Sequence, residues 1–337
     1  MGHDCRFCGE PLNFCVADLG HTPLANALLT SPDELTERFP LRVFFCEYCH
    51  LVQVGDVIDP ERLFENYAYQ SSFSSTWNEH VKAFFRKAQG HLPTQGSRVV
   101  EIGCNDGGLL RHFLHAGYPV LGVEPAKNIA EVAAQYGVPT VSAYFGKKLG
   151  QFYADQGRTA ALIIANNVIP HVPQLNDFVS GMKALLAPQG IISLEFHYLR
   201  SLIDNVQFDA IYHEHVSYFT GTTISRVLAQ HGIKVFDSEM LPTHGGSLRI
   251  WACHQEDASK SVSLRHESLL AQEKDVGLAT ATYYWGFESS VKMRAMAIHE
   301  KLEDLHRAGK KVAAYGAPAK ATTLLNVSGI EKRHLQF

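Results

Sequence analysis

VVEIGCNDGG, residues 99–108, joins a run of strand-forming residues to a glycine-rich turn, and a helical pattern follows it. In doubly wound α/β folds, a turn of this kind at the end of the first strand binds nucleotides, because the backbone must approach the ligand closely. The dinucleotide fingerprint G-x-G-x-x-G is absent. The turn has Glu101-x-Gly103-x-x-x-Gly107 instead. We expect a nucleotide-type ligand here, and two alternatives remain open, a turn without a ligand and a nicotinamide enzyme.

Strand and helix patterns alternate on the carboxyl side of this turn. Strands are predicted over SRVVEIGC, PVLGVEP, PTVSAYF, AALIIANNVI and GIISLEFHY, with a closing pair over IKVFDSEMLP and GSLRIWACHQ. Helices are predicted over TWNEHVKAFFRKAQGHL, GGLLRHFLHAG, KNIAEVAAQYG, LNDFVSGMKALLAPQG and residues 224–232. Such alternation predicts an α/β fold in which a mainly parallel sheet carries helices on both faces.

Polar residues follow the neighbouring strands at the same edge of this sheet. Glu124 ends the second strand, 21 positions after Gly103, where an acid can accept hydrogen bonds from both ribose hydroxyls. Asn166 and Asn167 end a later strand. Together with the glycine spacing, these residues resemble the Rossmann-like class I methyltransferases, which use S-adenosylmethionine. The resemblance implies a cofactor-binding set of Tyr69, Glu101, Gly103, Asn105, Gly107, Glu124, Pro125, Asn166 and Asn167.

Two Cys-x-x-Cys pairs stand near the N-terminus, Cys5 with Cys8 and Cys46 with Cys49. Two such pairs separated by a few dozen residues are typical of a structural Zn²⁺ site, in which four thiolates leave no open position for water. Gly9 permits the left-handed turn that a knuckle often needs. The alternative is four buried cysteines that share this spacing by chance. We expect a zinc site that stabilises the fold and takes no part in chemistry.

The composition is that of an ordinary globular protein, with 46% hydrophobic and 19% charged residues. No apolar run is long enough for a membrane span, and the polar N-terminus lacks a secretion signal, so we expect a cytoplasmic protein with no membrane partner. The net charge is −4 and no basic run occurs. This balance argues against a nucleic-acid partner.

The segment IYHEHVSYF, residues 211–219, holds two histidines, a glutamate and two tyrosines. A metal site, a proton-transfer site and a loop whose polar groups bond one another are all compatible with these residue types. His213 and His215 alone are too few ligands for a metal, and no others follow at the usual spacing. On residue types alone, the choice between proton transfer and a structural loop stays open.

The zinc knuckles, EIGCNDG, HVPQLNDF, YHEHVSYF and GGSLRIW occur in the order found in the sugar C-methyltransferases of deoxysugar biosynthesis, which the chain resembles from residue 5 to about residue 326. The resemblance implies a nucleotide-linked substrate, a dTDP-linked 4-keto-6-deoxyhexose methylated at C-3. It implies that His215 removes the C-3 proton, with Tyr212 and Glu214 as partners and His171 across the pocket. Tyr67 or Tyr69 is expected to close over cofactor and sugar.

We expect three domains, a zinc-binding unit over residues 1–66, a methyltransferase domain over 67–258 and a helical linker with the start of a second Rossmann-like domain over 259–337. In the last, KKVAAYG is predicted as a strand. Lys320 follows a glycine turn at a helix start, where phosphate binds well, and the alternative, which we favour, is a solvated surface lysine. Arg249 could hold cofactor or nucleotide, or belong to a simple strand. The competing functions are a methyltransferase acting on RNA or protein and a non-catalytic binding protein. Oligomeric state is left open.

Overall fold

The computed structural model describes residues 3–27, 29, 31, 34–64, 70–92, 96–316 and 318–336. Its strands are β1 (Phe14–Thr22), β2 (Phe39–Phe45), β3 (Val52–Val54), β4 (Val99–Ile102), β5 (Val120–Val123), β6 (Thr140–Val141), β7 (Ala160–Asn166), β8 (Leu186–His197), β9 (Ser217–Tyr218), β10 (Ile233–Leu241) and β11 (Ser247–His254).

The helices of the described residues alternate with these strands from β4 onwards and then follow one another after β11. They are α1 (Pro60–Phe64), α2 (Ser75–Gln89), α3 (Leu110–His115), α4 (Lys127–Gln135), α5 (Lys147–Asp155), α6 (Leu175–Leu185), α7 (Leu199–Asp204), α8 (Gly221–Ala229), α9 (Leu264–Asp275), α10 (Ala281–Tyr284), α11 (Phe287–Arg307) and α12 (Ala319–Val327).

A seven-stranded sheet in the order β10-β11-β8-β7-β4-β5-β6 forms the centre of the molecule. Strands β4 to β8 pair in parallel, and β10 and β11 close the sheet antiparallel. Successive residues of a strand face opposite sides, so Val99 packs with α2 and α3 while Val100 packs with α6 and α8. The predicted α/β fold with a mainly parallel sheet is confirmed.

A second sheet, antiparallel and four-stranded, has the order β1-β2-β3-β9. Its first three strands come from the cysteine-rich N-terminal segment, and β9 comes from the IYHEHVSYF segment. Val52 pairs with Tyr218 and Gln53 with Ser217. The N-terminal unit and the segment carrying the candidate base therefore share one sheet.

The C-terminal region departs from the prediction in one respect. Residues 310–316 include no strand, although KKVAAYG has a strand-like composition, and helix α12 follows as expected. A strand needs a partner with which to share its backbone hydrogen bonds. No strand of the described residues pairs with this stretch, so the predicted strand is not formed.

Within the described ranges, no helix combines the length and the apolar character needed to cross a bilayer.

Candidate active site and zinc site

A cleft of about 1460 Å³ opens at the carboxyl ends of β4, β5, β7 and β8. A pocket for one small ligand usually holds about 300–1000 Å³. The larger volume has room for a cofactor and a second substrate. Residues of the cofactor turn line one end of the cleft, and His171, His197, Tyr212, His215 and Lys320 line the other.

The cofactor turn takes its shape from three residues in the left-handed backbone region, Gly103, Asn105 and Gly107. A Cβ on Gly103 would lie 2.5 Å from a methyl group of Val168, so only glycine fits there. Gly103 and Asn105 line the cleft, whereas Gly107 packs against Val138 and is not among the lining residues.

Glu124 accepts hydrogen bonds from the backbone N–H of Asn105 and of Ala126, both at 3.0 Å. These two bonds fix its carboxyl group at the mouth of the turn, and burial raises the pKa of that group. Each carboxyl oxygen keeps lone-pair capacity for a further donor, such as a ribose hydroxyl. The predicted residues Glu101, Pro125, Asn166 and Asn167 line the same end of the cleft.

Asp106 was not singled out from the sequence, yet it ties the turn to the segment in front of α2. Its buried carboxyl group accepts from the Ser71 hydroxyl at 3.2 Å, from the Ser72 backbone N–H at 3.1 Å and from the Ser72 hydroxyl. Asn105 Oδ1 also accepts from the Ser71 N–H, at 2.9 Å. Tyr67 and Tyr69, predicted to close over the ligands, lie outside the described residues.

His215 lies at the other end of the cleft in a fixed tautomer. Its Nδ1–H donates to the Ala210 carbonyl at 2.9 Å, which leaves the Nε2 lone pair to accept from the Tyr212 hydroxyl at 2.7 Å. Since a carbonyl can only accept, this assignment follows from the partner. Burial, and then the neighbouring His171, hold the pKa of His215 well below its usual range. The ring is therefore a neutral base at physiological pH.

The other histidines of the site follow the same pattern of burial. His171 contacts His215 with ring centroids 4.8 Å apart, and burial lowers the pKa of His171 to about 4. The Glu214 backbone carbonyl accepts from the His171 ring. His213 points away from the cleft, as predicted, with its Nε2 3.3 Å from the Pro40 carbonyl oxygen.

Glu214 does not lie where the expected partner of His215 should lie. Its carboxyl group accepts from Asn26 Nδ2 at 2.7 Å and is not among the residues that line the cleft. Burial raises the pKa of Glu214 to about 7. The group that orients His215 is the Ala210 carbonyl, because it accepts from Nδ1 and Ala210 is not among the residues that line the cleft.

The structure also tests what the sequence suggested for Lys320 and Arg249. Lys320 is half-buried at the start of α12 and lines the cleft, so its interpretation as a solvated surface lysine is wrong. Arg249 lies within β11, is buried, and pairs with Glu195 at 2.6 Å. It is not among the cleft residues, which leaves the strand interpretation.

The four N-terminal cysteines form one cluster, with all four sulfurs within 4.8 Å of one another. The Cys5–Cys49 and Cys8–Cys46 sulfurs are 3.5 Å apart. Four sulfurs at ~2.3 Å from a tetrahedral Zn²⁺ would be about 3.8 Å apart, so the cluster fits the ion closely.

Both knuckles close in the same way. The N–H of Gly9 donates to the Cys5 carbonyl and the N–H of His50 to the Cys46 carbonyl, each at 2.8 Å, and both donors have positive φ. Gln53 Nε2 donates to the Cys5 sulfur at 3.0 Å, a second-layer bond that suits a thiolate ligand.

Arg6 lies between Cys5 and Cys8 and reaches from the knuckle to the His215 segment. Its guanidinium donates to the Val54 carbonyl at 2.5 Å and to the Val216 carbonyl, next to His215. Burial lowers the pKa of Arg6 to about 10, and the side chain stays charged. Arg6 thus links the cysteine cluster by direct hydrogen bonds to strand β3 and to the residue that follows the candidate base.

A second group of metal-type side chains, His299, Glu303 and His334, lies between α11 and the C-terminal turn. The Glu331 N–H donates to His334 Nδ1 at 2.9 Å, so the proton of this ring is on Nε2 and is donated to Glu303 at 2.8 Å. A metal would need the Nε2 lone pair. The group is therefore a hydrogen-bonded network without a free ligand atom on His334.

Comparison with known proteins agrees with the geometry. Residues 69–237 match the family described as "Methyltransferase domain", residues 242–337 match "C-methyltransferase C-terminal domain", and residues 5–64 match "Putative zinc binding domain".

Among curated proteins, the C-methyltransferase NovU of Streptomyces niveus is 34% identical over 337 residues, which cover 99% of this chain and 80% of NovU. A ubiquinone biosynthesis O-methyltransferase of Bartonella bacilliformis is 28% identical over 111 residues, 33% of this chain and 45% of that protein. Among solved structures, the magnesium protoporphyrin IX methyltransferase ChlM of Synechocystis with bound S-adenosylhomocysteine covers 57% of this chain and 90% of its own, at 15% identity and a TM-score of 0.41.

The full-length similarity to NovU and the three matched families complete the assignment. The chain belongs to the S-adenosylmethionine-dependent C-methyltransferases, with a class I methyltransferase fold and an N-terminal zinc-binding domain.

Proposed function

We propose that this protein transfers a methyl group to C-3 of a nucleotide-linked 4-keto-6-deoxyhexose, with a dTDP-linked sugar as the expected substrate. The observation that carries the proposal is the neutral His215 ring, which lines the cleft with its Nδ1–H on the Ala210 carbonyl and its Nε2 accepting from the Tyr212 hydroxyl. Carbon methylation requires a base for a C–H bond. A buried neutral imidazole close to a methyl sulfonium meets that requirement.

Each residue has a role that follows from its bonds. His215 Nε2 takes the C-3 proton, and the C–H electron pair moves towards the C-4 oxygen to give an enolate. The Tyr212 hydroxyl, displaced from Nε2 by the substrate, donates to that oxygen. S-adenosylmethionine, when bound, supplies the methyl group. As C-3 forms its bond to the methyl carbon, the methyl–sulfur bond breaks and the C-4 ketone is restored.

The rest of the predicted site supports these two reactants. Glu124 binds the ribose hydroxyls of the cofactor beside Gly103, Asn105 and Pro125, while Asn166 and Asn167 line the passage to the acceptor. His171 keeps the His215 ring desolvated and neutral, and the Glu214 backbone holds His171. Tyr67 or Tyr69 is proposed to close over the cofactor and the sugar. Cys5, Cys8, Cys46 and Cys49 bind Zn²⁺, which stabilises the N-terminal unit.

Solvent exchange tests the proposal. The protein is incubated in deuterated water with a dTDP-linked 4-keto-6-deoxyhexose and S-adenosylhomocysteine, and then with S-adenosylmethionine, and the sugar is followed by mass and NMR. We expect deuterium at C-3 and then a single methyl gain at that carbon. A 4-keto group acidifies the hydrogens of both neighbouring carbons. Exchange at C-5 in place of C-3 would therefore mean that C-5 is the carbon that is methylated. Exchange at neither carbon would refute the base assigned to His215.

A further inference from the structure

His197 is the last residue of β8 and lines the acceptor end of the cleft. Only 8% of the residue is exposed. Its Nδ1 atom is buried and has no hydrogen-bond partner among the described residues. A buried polar atom is normally paired, and the residue that carries this one lines the cleft, so a bound ligand can supply the partner.

The tautomer of His197 is fixed by a chain of bonds behind the ring. The Gln207 amide N–H donates to the Gly245 carbonyl at 2.9 Å, which turns the Gln207 carbonyl oxygen towards His197. His197 Nε2 lies 2.7 Å from that oxygen and must therefore carry the proton. A Cβ on Gly245 would lie 2.5 Å from Gln207 Nε2, so the glycine permits this close packing. Nδ1 is left as a lone-pair acceptor.

The surroundings keep this acceptor neutral. Burial lowers the pKa of His197 to about 4, and the nearby Lys320 and His244 act in the same direction, against the hydrogen bond to Gln207. A neutral acceptor beside a lysine selects a neutral donor. A ketone or phosphate oxygen cannot donate, and a ligand ammonium would be repelled by Lys320.

We propose that His197 Nδ1 accepts a hydrogen bond from a sugar hydroxyl on, or next to, the carbon that is methylated, which makes His197 a specificity-determining residue. The proposal rests on the proposed function, since it takes the acceptor to be a sugar. In a 4-keto-6-deoxyhexose linked through C-1, the available donors are the hydroxyls of C-2 and C-3. His197 is also an electrostatic neighbour of His215, as a contact next to the reacting carbon requires.

The test measures binding and not turnover. Three dTDP-linked 4-keto-6-deoxyhexoses are compared in the presence of S-adenosylhomocysteine, one with both hydroxyls, its 2-deoxy counterpart and its 3-deoxy counterpart. The wild-type protein is expected to bind the fully hydroxylated sugar about tenfold more tightly than one of the deoxy sugars, the value of one good hydrogen bond. In His197→Phe this preference disappears, and in Gln207→Glu, where the carboxylate protonates the ring, it also disappears.

Nitrogen-15 NMR of the histidine rings gives a readout on the unmodified protein. The His197 Nδ1 signal, assigned by its loss in His197→Phe, is expected to shift when the hydroxylated sugar binds, and less with the deoxy sugar that binds weakly. Saturation without a shift, or equal affinities for all three sugars, would overturn the proposal. A preserved preference without solvent exchange would contradict the proposed reaction alone, whereas no binding of any of the three sugars would overturn both.

Discussion

The cysteine cluster and the acceptor end of the cleft are both buried, and they differ in how their polar atoms are bonded. The four sulfurs face one another and take further bonds from Gln53 and the backbone, so no ligand atom points outward. In the cleft, one nitrogen of each of His197 and His215 is held by a hydrogen bond, to Gln207 and to the Ala210 carbonyl. The second nitrogen of His197 has no partner among the described residues, and that of His215 accepts from the Tyr212 hydroxyl.

This difference separates a site that holds structure from one that can bind and transform a ligand. A closed four-thiolate site has no open position and only stabilises. Imidazoles fixed from behind lose little entropy when a ligand arrives, which is the requirement for an oriented base. Burial alone therefore does not identify the reactive region. Lone pairs on residues that line the cleft do, where they are unpaired or hold an exchangeable hydroxyl.

The largest effect of a single substitution is expected in the cysteine cluster. Cys5→Ser removes one of four ligands, so the protein should lose bound zinc and the N-terminal unit should unfold, because structural zinc supplies folding free energy directly. Metal analysis and thermal unfolding measure this. Cys15→Ser is the matched control, since Cys15 is exposed and lies outside the cluster. A Cys5→Ser protein with full zinc and an unchanged melting temperature would remove the zinc assignment.

At the acceptor end of the cleft, His215→Asn should lower kcat by about 10²–10⁴-fold, the usual contribution of a general base. The affinity for S-adenosylmethionine should stay unchanged. The control is His213→Asn, two positions away and directed at Pro40, which should keep near-normal turnover. Steady-state kinetics and cofactor titration separate the two effects. Similar losses in both variants would show that the segment has only a structural role.

The neutral histidines predict a pH dependence of stability. Burial lowers the pKa of His171 and His197 to about 4, below the ~6.5 of an unfolded chain, so the unfolded state binds more protons between these values. The free energy of unfolding should therefore fall as the pH falls from about 6.5 to about 4, by at most about 3 kcal/mol per histidine.

Denaturant unfolding at about pH 7 and pH 5 with excess zinc measures this slope. In His171→Gln the slope of unfolding free energy against pH should be smaller by up to one proton, because one group that protonates on unfolding is removed. An equal slope in the wild type and His171→Gln would mean that His171 is not held neutral.

The sequence predicts a region well where its contacts join residues close together along the chain, and poorly where they join distant segments. The cysteine pairs and the glycine turn are local, and spacing alone predicts their geometry. Position along a strand also brought Glu124 and Asn166 to the cleft, because parallel strands share one carboxyl edge.

Contacts between distant segments could not be predicted in this way. The pairing of β3 with β9 joins residues more than 160 positions apart, and no pattern in either segment specifies it. For the same reason the sequence missed His197, whose role depends on Gln207 and Gly245, and it misjudged Lys320, which α12 brings to the cleft. The error over KKVAAYG has another cause, since composition favours a strand but cannot provide its partner.

Arg6 connects the cysteine cluster to the segment that carries His215. Of the four predictions, its replacement should have the smallest effect. Arg6→Gln removes the donors to Val54 and Val216, so the segment beside His215 loses its anchor while the four sulfurs stay in place. We expect full zinc content and a kcat lowered by about 10- to 100-fold with an unchanged KM for S-adenosylmethionine, because a misplaced base affects turnover and not cofactor binding.

Arg6→Lys, which keeps the charge and one donor group, should recover part of the loss. Arg38→Gln is the control, since Arg38 is an exposed arginine of the same unit and bonds to His21 and Asn326, outside the cleft. If Arg6→Gln instead lost zinc in proportion to activity, the knuckle and the base would be one structural unit. Wild-type kcat in that variant would mean that the pairing of β3 with β9 alone positions His215.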